Sequence, residues 1–137
     1  MVTFKELIKD LLITDIPIEH QHNLEQLLAK VNVIRKAYGK PMYVSSGYRL
    51  RQKHIDVYRK KGYTDDKIPF GSQHLSGLAV DFRDPKQELQ TWILANLELI
   101  EQLDVFIEDF KYTPTWVHIQ LRPFRSYRKG GSRFFIP

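Results

Sequence analysis

The sequence has no cysteine among its 137 residues. This absence excludes disulfide bonds, zinc sites built from cysteine and catalytic thiols, and it makes the chain indifferent to the redox state of its compartment. Long apolar runs are also missing. Charged residues interrupt the N-terminal stretch "MVTFKELIKDLLITD", and no later segment approaches the ~20 apolar residues of a membrane span. We therefore expect no transmembrane segment, and synthesis in the cytoplasm without a signal peptide.

The composition is that of a folded protein. Hydrophobic residues make up 42% of the chain and charged residues 27%, which argues against disorder. The length predicts a single domain over residues 1–137. A net charge of +5 arises from 21 Lys and Arg residues against 16 Asp and Glu residues, and part of the excess lies in the segment 122–133, "RPFRSYRKGGSR". This segment could attract a polyanion or only keep the surface soluble, and net charge does not decide between them.

Hydrophobic periodicity and turn residues place helices early in the chain and most strands late. Asn23 is a candidate cap for a second helix, which Gly39 ends. Asp84 is the expected cap of a later helix, with Pro85 in its first turn. The predicted helices cover residues 4–12, 24–38, 49–62 and 84–97, and the predicted strands cover 41–46, 77–82, 103–110, 115–121 and 132–137. The pattern favours an α+β fold with helices packed on one face of a largely antiparallel sheet.

The stretch "SQHLSGLAVDF" places a histidine and an aspartate close together. In a strand over residues 78–82 the apolar side chains point to one face, while Asp81 and Ala79 point to the other. A carboxylate in the middle of an apolar strand needs a cation or several hydrogen bonds to stay ionised. Gly77 would let the chain bend so that His74 approaches Asp81.

A third candidate ligand lies in "TWVHIQL", where alternation puts Trp116, His118 and Gln120 on the face opposite an apolar set. Two histidines and one aspartate would leave a fourth position open, as in a catalytic zinc site. The other interpretation is a turn that leads into a core strand, and the spacing alone leaves both open. The remaining histidines, which are His20, His22 and His54, are expected to face solvent.

Several separate motifs occur in the same order as in a known protein family. The pattern "SxHxxGxAxD", followed by "WxH" and preceded by "GKPMYVSSGYR", resembles the zinc D-alanyl-D-alanine carboxypeptidases and the related phage and bacterial peptidoglycan peptidases of the Hedgehog/DD-peptidase-like fold. The helix "NLEQLLAKVNVIRKAYGKP" is also similar to the helix that precedes these motifs in the family. The resemblance runs from Asn23 to Leu121, and several separated motifs in one order are more specific than a single pattern.

The resemblance implies roles for five residues. It implies that His74, Asp81 and His118 hold Zn²⁺, which binds imidazole nitrogen and carboxylate oxygen at ~2.0–2.2 Å. It also implies that Arg49 lines the cleft and orients a substrate carboxylate or stabilises the developing oxyanion, because a planar guanidinium can meet a carboxylate with two hydrogen bonds. Ser72 is expected to contact the substrate, although a turn hydroxyl is the other interpretation. Trp116 lies beside a candidate ligand on the same strand face, so we expect it to form a cleft wall or to support the metal ligands.

The sequence lacks the general base that several relatives of this family carry. Several relatives carry a glutamate three residues before the last histidine ligand, but this sequence has Thr115 there. Members with a glutamate in the preceding strand resemble this chain better, and Glu108 matches that place. Asp109 is the alternative, because the pairing register that decides which side chain faces the zinc is not readable from the sequence. Without a base, the protein would bind cell wall without cutting it.

We therefore expect a zinc metallopeptidase that acts as a monomer on the peptide part of bacterial peptidoglycan, of the DD-carboxypeptidase or endopeptidase type. Release by phage lysis or carriage in a virion would bring it to the wall. Two alternatives remain: a non-catalytic cell-wall binding module that holds zinc, and a nucleic-acid binder that uses its basic tail. Because we favour the metallopeptidase over both alternatives, we expect no nucleic-acid partner.

Overall fold

A five-stranded sheet organises the computed structural model, which describes residues 1–137. The strands lie in the order β1-β2-β4-β3-β5. Three neighbouring pairs are antiparallel, while β5 runs parallel to β3 at one edge. The strands are β1 (Tyr43–Ser46), β2 (Ala79–Arg83), β3 (Phe106–Glu108), β4 (Trp116–Gln120) and β5 (Phe134–Phe135). The predicted pairing of the two late strands and the predicted terminal edge strand are both present.

Five α-helices accompany the sheet: α1 (Phe4–Ile8), α2 (Ile18–Tyr38), α3 (Arg51–Lys60), α4 (Glu88–Leu94) and α5 (Leu97–Leu103). Short 3-10 turns cover Ile13–Asp15, Asp65–Lys67 and Gln73–Ser76. The α+β class predicted from the sequence is confirmed. None of the helices is both long enough and apolar enough to cross a membrane.

The core lies between one face of the sheet and the helices. Val80 and Phe82 of β2 join Val117 and Ile119 of β4 in the same buried cluster as the apolar side chains of α2, α4 and α5. Strand alternation turns the intervening residues of β2 and β4 to the other face, as the sequence predicts. That other face, which α3 and the loops border, carries the polar side chains of the site.

The boundaries of α2 differ from the prediction. The helix begins at Ile18 after Pro17 and not at Asn23, so the expectation that Asn23 caps it is wrong. Proline at a helix start costs no backbone hydrogen bond, because an N–H group there would have no partner within the helix. The Asn23 side chain instead donates to the carbonyl oxygen of Ser76. Gly39 ends the helix with φ +78°, as predicted.

The predicted helix over 84–97 is two helices, α4 and α5, with Asn96 between them. Asp84 is a cap, although it acts from outside the first turn. Its two carboxylate oxygens accept the backbone N–H groups of Leu89 and Gln90 at 3.0 and 2.8 Å. A buried carboxylate with two such donors satisfies free amides at the start of α4.

Candidate metal centre

Two glycines allow the segments that carry the site to approach one another. A side chain at Gly47 would place its Cβ 2.2 Å from the carbonyl oxygen of Leu7, so only glycine fits between α1 and the end of β1. Gly77 has φ +75° and packs against His20 and Leu24 of α2, which closes the 3-10 turn that holds His74. The backbone N–H of Arg49 donates to the carbonyl oxygen of His74 at 3.1 Å. The "SSGYR" and "SQHLSG" segments are therefore fixed side by side.

The sheet brings the other two predicted ligands beside His74. Asp81 of β2 and His118 of β4 are directly paired residues of neighbouring strands. One potential ligand atom from each of His74, Asp81 and His118 lies within 4.8 Å of the others. Nε2 of His74 is 3.3 Å from Oδ2 of Asp81, and Nδ1 of His118 is 2.8 Å from Oδ1. This trio could hold a metal ion.

The partner of His74 selects which nitrogen faces the carboxylate. Nδ1 of His74 lies 2.8 Å from the carbonyl oxygen of Gly47. A carbonyl only accepts hydrogen bonds, so Nδ1 carries the proton and Nε2 keeps its lone pair. Burial lowers the pKa of His74 and outweighs the hydrogen bond and charge of Asp81, which raise it. A neutral imidazole with a free Nε2 is the form that binds zinc.

His118 is held from both sides by acceptors. Nε2 lies 2.8 Å from Oε1 of Gln120, while Nδ1 faces Asp81. The amide of Gln120 is oriented because its nitrogen donates to the carbonyl oxygen of Arg122 at 3.0 Å. Burial lowers the pKa of His118, but the hydrogen bonds with Asp81 and Gln120 and the charges of Asp81 and Glu108 together raise it more, so the net shift is upward. Loss of the Nδ1 proton would turn this imidazole into a ligand whose other nitrogen is already anchored.

Asp81 remains ionised in this setting. Burial opposes the charge, but the hydrogen bond from His118 and the close contact with His74 hold the pKa of its carboxyl well below the usual range. One carboxylate and two anchored imidazoles are a donor set that suits Zn²⁺ and leaves a fourth position open. The residues present therefore fit the ion.

The trio lies in a cleft of about 650 Å³. Arg49, Ser72, Trp116 and Glu108 also line this cleft, so it contains every predicted metal ligand, substrate-placing residue and candidate base except Asp109. Four basic side chains and two carboxylates border it; they are Arg49, Lys61, Lys67 and Arg125, with Asp81 and Glu108. A second cleft of about 610 Å³ near Pro41 and Pro85 is lined by no histidine.

The register of β3 separates the two candidate bases. Glu108 is partly exposed in the cleft, whereas Oδ1 of Asp109 accepts the backbone N–H of Lys111 in a turn. Burial raises the pKa of Glu108, and the negative charge of Asp81 raises it further. The charges of His118 and Lys61 lower it, but the net shift is upward. A carboxyl with a raised pKa is a better proton acceptor near neutral pH than an ordinary one.

Three residues near the site are not predicted by the sequence to be part of it. Ser46 and His54 both contact the guanidinium of Arg49, and Gln120 anchors His118. The expectation that His54 faces solvent is wrong, because its side chain is fully buried. The alternation that puts Gln120 on the face of His118 is the one sequence signal that points to any of them.

The basic tail packs in part against the body of the protein. Nη1 of Arg133 lies 2.7 Å from Oδ1 of Asp104, and the guanidinium stacks over Phe106 at 4.9 Å. Tyr127 packs edge-on against Phe106 at 4.8 Å. An arginine and an aromatic side chain of the tail are thus engaged in the fold.

Comparison with known proteins adds one finding. The family model described as Peptidase M15 matches residues 2–120, which is most of the chain and includes the trio and the cleft residues Arg49, Ser72, Glu108 and Trp116. No match was found among curated proteins or among solved structures.

Proposed function

The chain belongs to the peptidase M15 family, and from this premise we propose that it hydrolyses an amide bond in the peptide part of bacterial peptidoglycan. M15 peptidases are zinc-dependent, and membership supports a zinc-dependent hydrolase. The convergence of His74, Asp81 and His118 at one point of the cleft carries the proposal. Nε2 of His74, a carboxylate oxygen of Asp81 and Nδ1 of His118 would hold the ion. When bound there, zinc supplies a water of lowered pKa and polarises a carbonyl.

We assign the proton transfers to Glu108. The carboxylate would take a proton from the water as its oxygen attacks the amide carbon, and would then give that proton to the leaving amine as the C–N bond breaks. The products are a carboxylate and a free amine. Support for this role comes from the position of Glu108 on the cleft wall, on a strand next to the one that carries His118.

We assign substrate placement to Arg49, Ser72 and Trp116. The Arg49 side chain lines the cleft and is 12% exposed, and its guanidinium would meet a substrate carboxylate or the developing oxyanion there. Ser72 begins the 3-10 turn of His74, and its hydroxyl has no capping bond to that turn. Trp116 begins β4 on the same face as His118. The excess of basic side chains around the cleft favours a peptide that carries carboxylates.

The test is digestion of purified peptidoglycan and of soluble stem peptides that end in D-Ala-D-Ala by the zinc-loaded protein, with mass spectrometry of the products. Release of free D-alanine identifies a carboxypeptidase, and new amino termini within the wall identify an endopeptidase. Retention on peptidoglycan without either product, by a protein that holds zinc, would instead establish the binding module. Salt-sensitive retention of DNA that persists in His74→Ala would favour the nucleic-acid alternative.

A further inference from the structure

His54 is a fully buried histidine on the otherwise polar helix α3. Its ring lies 4.8 Å from the ring of Tyr58 and 6.0 Å from that of Phe70, measured between centroids. The loop after α3 covers it, since Pro69 and Phe70 both contact the imidazole. A buried imidazole is costly unless both of its nitrogens have partners.

The two partners of His54 define its tautomer. Nε2 lies 3.0 Å from the carbonyl oxygen of Pro69, which only accepts, so Nε2 carries the proton. Nδ1 lies 3.4 Å from Nη1 of Arg49. A guanidinium only donates, so Nδ1 must be the acceptor. The neutral imidazole with its proton on Nε2 is the one form that satisfies both contacts.

Arg49 is held on its other sides as well. Its Nε donates to Oγ of Ser46 at 3.0 Å, and its Nη2 lies 3.9 Å from Oδ2 of Asp81. A free arginine side chain has many rotamers, and fixing it before the substrate arrives removes that ordering cost from binding. The contact from His54 acts on Nη1, which neither Ser46 nor Asp81 reaches.

We propose that His54 is a positioning residue that fixes the Arg49 guanidinium in the cleft through its unprotonated Nδ1. This inference rests on the substrate-placing role proposed for Arg49. His54 lines no part of the cleft itself, and Arg49 is the one proposed substrate-placing residue that it contacts. The carbonyl oxygen of Pro69 selects the tautomer of His54. The conformation of the loop that contains Pro69 therefore affects the orientation of the Arg49 guanidinium.

Two variants that differ by one methylene group separate this role from a packing role. In His54→Asn the side-chain oxygen lies near the position of Nδ1 and can still accept from Arg49. In His54→Gln the amide reaches the position of Nε2, beside Pro69, and leaves Arg49 without its acceptor. We expect His54→Asn to stay within about fivefold of wild-type kcat/KM and His54→Gln to lose about tenfold to 100-fold, since misplaced substrate-orienting groups cost up to about 100-fold. Equal losses in both variants, or the larger loss in His54→Asn, would overturn the proposal.

Removal of Arg49 provides the second comparison. In an Arg49→Ala background the difference between His54→Asn and His54→Gln should disappear, because the group they position is absent. His54→Gln should also change the same parameter, kcat or KM, that Arg49→Ala changes. A difference that persists at full size without Arg49 would show that His54 acts on packing. Zinc content measured on each variant confirms that the metal trio is intact.

A measurement on the unmodified protein needs neither turnover nor variants. Nitrogen-15 NMR of the zinc-loaded protein labelled in histidine distinguishes the two neutral tautomers and the imidazolium. We expect His54 to be neutral with its proton on Nε2 at neutral pH. A proton on Nδ1, either in the other neutral tautomer or in the imidazolium, would overturn the proposal. Absence of peptidoglycan hydrolysis would count against the proposed function and would leave this result unaffected.

Discussion

Oδ1 of Asp81 lies 2.8 Å from Nδ1 of His118, across a pair of adjacent antiparallel strands. Oε1 of Gln120 lies 2.8 Å from Nε2, the other ring nitrogen. Because both ring nitrogens of His118 face acceptors, the ring is an imidazolium in this arrangement. The raised pKa of His118 agrees, since the hydrogen bonds and negative charges around the ring together outweigh burial. Zinc must therefore displace one proton from His118. His74 and Asp81 have no proton to lose from the atoms that would bind zinc, because neutral His74 carries its proton on Nδ1, toward the carbonyl oxygen of Gly47, and the Asp81 carboxyl is ionised.

Zinc binding should release about one proton per chain near neutral pH and should weaken as the pH falls from about 7.5 to 5.5. The sign follows from the raised pKa of His118, which keeps the ligand protonated to a higher pH than in a free histidine. Calorimetric titrations with zinc in buffers of different ionisation enthalpy measure the proton count. Affinity that does not change over this pH range would show that His118 is not the group that loses the proton.

Glu108→Gln should lower kcat by about 100-fold to 10,000-fold, because an amide cannot take a proton from the water. Its zinc content should equal that of the wild type, since Glu108 is not one of the three proposed ligands. Asp109→Asn is the matched control on the next residue and should keep near wild-type kcat. Peptide hydrolysis followed by mass spectrometry measures both, and a larger loss in Asp109→Asn would reverse the assignment.

Gln120→Leu should weaken zinc binding by about 10-fold to 100-fold, because it removes the acceptor that orients His118. Gln120→Glu keeps an acceptor for Nε2 and should stay closer to the wild type. Competition with a chromophoric chelator gives both affinities. Equal affinity of Gln120→Leu and the wild type would mean that His118 needs no anchor on Nε2.

Gly47→Ala should destabilise the fold by about 1–3 kcal/mol or more, because a Cβ there would overlap the Leu7 carbonyl and force α1 away from the site. Gly71→Ala is the control, since a Cβ at Gly71 meets nothing within 4 Å and should change stability by less than about 0.5 kcal/mol. Urea unfolding of the zinc-free proteins compares them. Equal unfolding midpoints would show that the α1 contact is not restrictive.

The sequence predicts the α+β class and the late strand pair because their signals are local. Alternation in "GLAVDF" and "TWVHIQL" also predicts which side chains leave the core, and the structure places Asp81 and His118 on that face. The choice between Glu108 and Asp109 depends on pairing register and on where β3 ends. Neither is encoded in the spacing of a three-residue strand.

His54 shows why other parts of the site escape sequence reasoning. It lies among charged residues on a helix, where periodicity predicts exposure. Its burial comes from a loop that folds back over α3 and brings Pro69 and Phe70 onto the ring. The predicted helix cap at Asn23 is wrong for a related reason, because its side chain donates a hydrogen bond to the carbonyl oxygen of Ser76 and does not cap α2. Contacts between residues distant in sequence override local preference at both positions.

The most direct test of the account is the zinc content of purified protein, measured by elemental analysis after removal of chelators and exposure to one equivalent of zinc. The account predicts about one zinc per chain in the wild type and in His22→Ala, a substitution at an exposed histidine of α2. It predicts loss of that zinc in His118→Ala. A wild-type protein that takes up no zinc, or a His118→Ala protein that keeps it, would contradict the assignment of His74, Asp81 and His118 as a metal centre.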